Sequence, residues 1–142
     1  MQKVASKAIQ LPYAFSAGSE VGRIEYQHGL LRIRVDDVGQ DLHVIVEFAE
    51  ARGFRVLDER DLMEYWPACS VQNGCLYEIH ASGWLQQESG RAGSSLVHMQ
   101  PDTREFLVAG INECVSVFSS TPPSVHQQAS NPASQPNVFG IG

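Results

Sequence analysis

A chain of 142 residues, 43% of them hydrophobic, is long enough for one domain whose core needs no disulfide or metal staple. Its net charge of −6 and pI near 5.2 argue against a nucleic-acid or anionic-membrane partner, because a phosphate footprint needs clustered cations. Lysine is confined to Lys3 and Lys7, and the arginines are scattered between Arg23 and Arg104.

Residues 1–20 read as a mixed lead-in with a short helical turn or an edge strand at 4–11. Gln10, Pro12 and Ser16 interrupt any apolar run that would mark a secretion signal, and no segment approaches the length of a membrane span. The chain is therefore expected to be soluble and cytoplasmic. Residues 23–35, RIEYQHGLLRIRV, fold back on themselves about His28-Gly29. That turn sets Tyr26 against Leu31, Ile24 against Ile33 and Glu25 against Arg32, giving one apolar face and one charged pair, as an antiparallel hairpin over a core requires.

The segment 42–48, LHVIVEF, alternates Leu42, Val44, Val46 and Phe48 with His43 and Glu47, and its β-branched run favours a strand. A helix competes there, joining Leu42, Ile45 and Ala49 and ending at Gly53. FRVLD at 54–58 returns as a strand, and ERDLMEYW at 59–66 reads as one short helix started by Asp58 or Glu59 and stopped by Pro67. Asn73-Gly74 marks a turn, CLYEIHASGW at 75–84 alternates as a strand, and QQESGRAGSS at 86–95 reads as a flexible loop. A last hairpin, REFLVAG–INE–CVSVFSS, groups Phe106, Val108, Val115 and Val117 on one face.

The expected fold is thus α+β and β-rich: a curved antiparallel sheet or sandwich of six to eight strands with one short helix, in a single domain over 1–120. Residues 121–142 carry no Asp, Glu, Lys or Arg and are rich in Pro, Ser, Gln and Asn, so they read as a tail unable to build its own core. VFGIG at 138–142 offers that tail an apolar anchor. A homodimer through the tail or an open sheet edge is expected, with a tail lying on its own subunit as the alternative.

GxSxG, HExxH, paired CxxC, GxGxxG and P-loop patterns are absent, so no cofactor or metal is expected. GRAGSS with Arg91 would offer amide groups to an anion, but it lacks the flanking strand and helix of a phosphate loop. Glu78 and His80, two apart on a strand, share a face and are the candidate acid–base pair, although a solvated strand face has the same spacing. His43 and Glu47 would join them only on a neighbouring strand. Cys69, Cys75 and Cys114 lack metal spacing, and Cys114 would act as a nucleophile only beside an imidazole, its plain role being a small buried hydrophobe. Tyr65, Trp66 and Trp84 are the aromatic binding candidates. Asp58 and Asp61, within the run Asp58, Glu59, Asp61 and Glu64, would suit a basic protein partner, and a second acidic group lies at Asp36, Asp37 and Asp41.

GFRVLDERDLMEYW, CLYEIHASGWLQQE and REFLVAGINECVSVF resemble segments of small bacterial proteins of uncharacterised function, some of them similar to accessory proteins of mobile elements and toxin–immunity loci. The resemblance spans residues 20–120 and rests on turn and core residues, so it carries no site across. The leading expectation is a non-enzymatic binding or interaction module, read from the acidic surface, the missing catalytic signatures and the uncharged tail, and the resemblance implies an immunity-like form of it. A small-molecule-binding barrel lined by Trp84, Tyr77 and Tyr65 is the second reading, and a small hydrolase or isomerase using His80 and Glu78 the third.

Overall fold

The computed structural model describes residues 3–15, 18–69, 74–94, 96 and 99–129. VFGIG and Asn73 lie outside these residues. The His28-Gly29 turn is present with both residues at positive φ, 51° and 87°, the geometry whose twist matches that of two flanking strands. It joins β2 (Ser19–Gln27) to β3 (Leu30–Asp37) in the expected register, with Ile24 opposite Ile33, Glu25 opposite Arg32 and Tyr26 opposite Leu31. Gly29→Val should cost about 1–2 kcal/mol, the strain of a side chain in the left-handed region. A urea titration should show the midpoint falling at unchanged slope, and an unchanged midpoint would refute the turn.

The remaining strands are β1 (Ala5–Ala8), β4 (Leu42–Phe48), β5 (Ala51–Asp58), β6 (Leu76–Ala81), β7 (Arg104–Ala109), β8 (Glu113–Ser119) and β9 (Ser124–Ala129). They form two antiparallel sheets in the orders β1-β6-β7-β8-β5 and β2-β3-β4-β9. Among the described residues neither sheet closes on itself. The segment 42–48 is a strand because Arg34 and Ile45, and Val35 and Val44, continue the β3 pairing into it. Among the described residues the number of strands reaches nine because residues 124–129, which read in sequence as tail, pair with β4 from Leu42–Ala129 to Glu47–Ser124.

The two sheets face each other across one core containing Leu31, Ile33, Val35, Val44, Val46, Phe48, Phe106, Val108, Val115 and Val117. The five-stranded sheet buries its other face as well, through Tyr77, Ile79, Leu107, Ala109 and Cys114 under Leu62, Tyr65 and Cys69. The cover is a 3-10 segment, Glu59–Tyr65, where the sequence predicted a helix. Asp58 starts it by accepting from the Arg60 amide at 2.9 Å, and Leu62 and Tyr65 are its buried residues. The outer face of the four-stranded sheet stays polar, with Arg32–Glu47 and Arg34–Asp36 pairs, both at 3.1 Å.

A further prediction from sequence is corrected. The expected loop over 86–95 begins instead with α1 (Trp84–Ser89), because side chains distant in sequence capture its first backbone amides. At the opposite end of β7 the turn before β8 is fastened to β2. The Asn112 amide accepts from the Val21 N–H and donates to the Val21 carbonyl, each at 3.0 Å, at the point where β2 bulges. Gly110 permits this approach, since a Cβ there would lie 2.8 Å from the Glu113 carbonyl and 3.0 Å from the Val21 nitrogen.

Candidate functional site

β7 is buried on both faces, and its alternation sends Phe106 and Val108 into the sandwich and Leu107 and Ala109 into the second cluster. Glu105 follows the second set and ends with only 1% of its surface exposed. A buried carboxylate must find donors or become neutral. Glu105 Oε2 accepts from the Tyr65 hydroxyl at 2.8 Å, and Oε1 accepts from the Leu85 amide at 2.8 Å. The Trp84 amide donates to the Tyr65 oxygen at 2.8 Å, so the first turn of α1 hangs on this pair. Gly83 allows the close approach: a Cβ there would sit 2.6 Å from Glu105 Oε1 and 2.7 Å from Ile79 Cγ2.

Trp84 lies stacked on Phe118 at 3.9 Å and 21°, and the Arg55 guanidinium sits 4.7 Å from the centre of the indole. Arg55 Nε is buried without a hydrogen-bond partner, as is the Oγ of its register neighbour Ser116. Burial pushes the Glu105 carboxyl above its usual range, opposed by the Leu85 amide, the Tyr65 hydroxyl, the Trp84 amide and the Arg55 charge. Burial, then the adjacent Glu105 charge, pushes the Tyr65 phenol well above its ordinary value. Beside this cluster is a shallow groove of about 300 Å³ lined by Ser82, Gly83, Gln86 and Gln87. Both Glu105 oxygens already have donors and the group is enclosed. The arrangement anchors α1 and offers no oxygen to a substrate.

The sequence candidates divide around this cluster. Tyr65 and Trp84 come together in it, although Tyr65 is 0% exposed and works inside the protein. Trp66 lies apart, half-buried, donating from Nε1 to the Glu59 carbonyl at 3.1 Å. Asp61 and Glu64 are exposed on the 3-10 segment and Asp58 is exposed just before it, and Met63, between Asp61 and Glu64, is 71% exposed. Glu78 is held by Arg104 through two bonds, 2.7 and 2.8 Å, and Arg104 first, then the nearby charges, keeps its carboxyl below the usual range. His80 lies 3.7 Å from Glu78, its side chain 49% exposed. Tyr77 and Ile79 are buried on the other face of β6, as their alternation predicted. His43 and Glu47 lie on β4 in the other sheet and do not join Glu78 and His80. Cys114 is buried, and burial pushes its thiol up to about 11, which leaves no thiolate at neutral pH. Among the described residues no group of three or more His, Cys, Asp or Glu is placed to hold a metal ion, and no helix is long and apolar enough to cross a membrane.

Sequence reading missed Glu105 and Arg55. The available signal was an acid in the otherwise apolar run EFLVA, on the alternation face of Leu107 and Ala109. Compared with protein-family models, with curated proteins and with solved structures, the chain has no match.

Proposed function

We propose that this chain is a non-enzymatic interaction module that presents the 3-10 ridge to a basic partner protein. The observation that carries this reading is the exposed Met63 set among exposed Asp58, Asp61 and Glu64. Leu62 and Tyr65 pin the ridge from below, so the apolar and acidic groups are held out on a rigid support. A methionine with the uncompensated acids Asp61 and Glu64 beside it in the chain suits an interface whose centre is apolar and whose rim steers an oppositely charged surface, while Arg60 on the same ridge pairs with Asp58 at 3.1 Å. The net charge of −6 favours a basic protein over a nucleic acid. The likeness to toxin–immunity accessory proteins makes an immunity-like role, the neutralising of a basic protein, the specific form of this proposal. The cytoplasm is the proposed compartment, where the three buried thiols stay reduced.

A photo-crosslinker in place of Met63 tests the reading in the source cell. A basic protein should be captured, and the doubly reversed Asp61→Lys, Glu64→Lys chain should lose it, whereas Glu25→Lys on β2 should retain it. Each removed rim charge should slow association severalfold at low salt. Capture that ignores the charge reversal would overturn the proposal. The hydrolase reading finds less support, because Arg104 occupies both oxygens of Glu78.

We also propose that the chain pairs with itself as a homodimer. Support comes from the segment after Glu113, which carries no charged residue and supplies an edge strand to one sheet.

A further inference from the structure

Four strands end the two sheets: β1, β5, β2 and β9. An edge strand carries backbone groups able to pair with another chain, and proteins blunt such edges with bulges, charges or short length. Three of the four are blunted here. β1 is four residues long, with a register shift at Ala5/Ser6 and a charge at Lys7. β5 shifts register at Ala51/Gly53 and carries Arg52, Arg55 and Asp58. β2 bulges between Val21 and Arg23, has Asn112 bonded to its Val21 backbone, and carries an Arg23–Glu25 ion pair.

Among the described residues β9 has none of these devices. Its sequence SVHQQA is uncharged, and it pairs with β4 through six consecutive residues without a register shift. Ser124, His126 and Gln127 are exposed. On a chain of net charge −6, two copies repel each other wherever their acidic surfaces meet, and they can approach where charge is absent.

We propose that β9 is the dimer interface, pairing antiparallel with β9 of a second copy to make one continuous eight-stranded sheet. This rests on the self-association reading above and names its surface. The geometry restricts the register. Val125 and Gln127 oppose the core residues Val46 and Val44, whereas Ser124, His126 and Gln128 oppose Glu47, Ile45 and His43 on the outer face. A two-fold axis perpendicular to the sheet keeps each face on its own side, and directly opposed residues in a sheet share a face. The axis therefore lies between the strands, midway between one residue and its own copy. Centring the overlap of the strand places it at His126 or at Gln127, so one of these residues faces its own copy.

Sedimentation of the full chain over a concentration series should give a dimer. His126→Glu places two like charges beside the axis and should weaken the dimer at least tenfold, with the thermal midpoint of the monomer unchanged because the side chain is exposed. In a second arm, His126→Cys and Gln127→Cys are oxidised mildly. One of them should cross-link into a covalent dimer, while Arg23→Cys on the β2 edge should not; the native cysteines are buried and stay silent. A full-length chain that is monomeric throughout overturns both this interface and the self-association reading, as would follow if residues 130–142 or a partner's extended peptide were the occupant of the edge. A dimer that survives His126→Glu and cross-links at neither position overturns the β9 interface alone.

Discussion

Glu105→Ala should destabilise the protein by about 3–5 kcal/mol, because it strands buried partners and leaves a void at once. The Tyr65 hydroxyl and the Leu85 amide lose their acceptor, and Arg55 loses the nearby negative charge that offsets its own. α1 should loosen with it, since it buries no residue of its own and its first-turn amides end on Glu105 and Tyr65. Exchange of the Leu85 and Trp84 amides should accelerate and the Trp84 fluorescence should change, while β2 and β3 keep their protection. Glu105→Gln keeps the shape and removes the charge, so its loss should be smaller, about 1–2 kcal/mol.

The pair also separates the pH dependence. Because burial raises the Glu105 carboxyl in the folded state, the folded chain binds a proton more tightly there than the unfolded chain does. Its contribution to stability is complete below the ordinary carboxylate range and is lost as pH rises through the folded value. Glu78, Asp58 and Asp102 are shifted the other way by hydrogen bonds from Arg104, Arg60 and Arg52. Wild type minus Glu105→Gln cancels those groups, and the difference should fall with rising pH. A difference that rises with pH would show that the donors outweigh burial at Glu105.

Phe106→Ala should cost about 3–5 kcal/mol, the usual loss for removing an aromatic side chain from a filled core. Phe106 is fully buried, its ring packs on Phe48 from the opposite sheet at 5.5 Å, and Val117 is its register partner. Neither sheet can close over the void without shifting the other. A domain of ordinary stability holds about 5–15 kcal/mol, so the thermal midpoint should drop by about 10–20 °C. Phe106→Leu should recover most of the loss. Met63→Ala, at an equally apolar but exposed position, should leave the midpoint within about 2 °C. A small shift for Phe106→Ala would mean that the sandwich is not the main core.

The sequence by itself determined the local pairings. A two-residue turn at His28-Gly29 leaves one register in which Ile24 meets Ile33 and Glu25 meets Arg32, and the register is observed. For the last hairpin the alternation put Phe106, Val108, Val115 and Val117 on one face, and the structure pairs Phe106 with Val117 and Val108 with Val115. In both, residues close in the chain carry the whole signal through turn length and two-residue alternation. Tyr65 and Trp84 were legible as important aromatics, but not as neighbours. Glu105 accepts from Tyr65, 40 positions away, and from Leu85, 20 positions away, and an acid on a strand reads as solvated until something arrives to cover it. The strand at 124–129 was hidden for a related reason: SVHQQA has little apolar alternation, and it is ordered by the hydrogen-bonding edge that β4 (Leu42–Phe48) presents from far upstream in the chain. α1 likewise owes its place to Glu105 and Tyr65. Burial of a charge, capture of a weak strand and docking of a short helix all depend on surfaces assembled from distant segments. Only the tertiary structure decides them, because no single stretch of chain contains both partners.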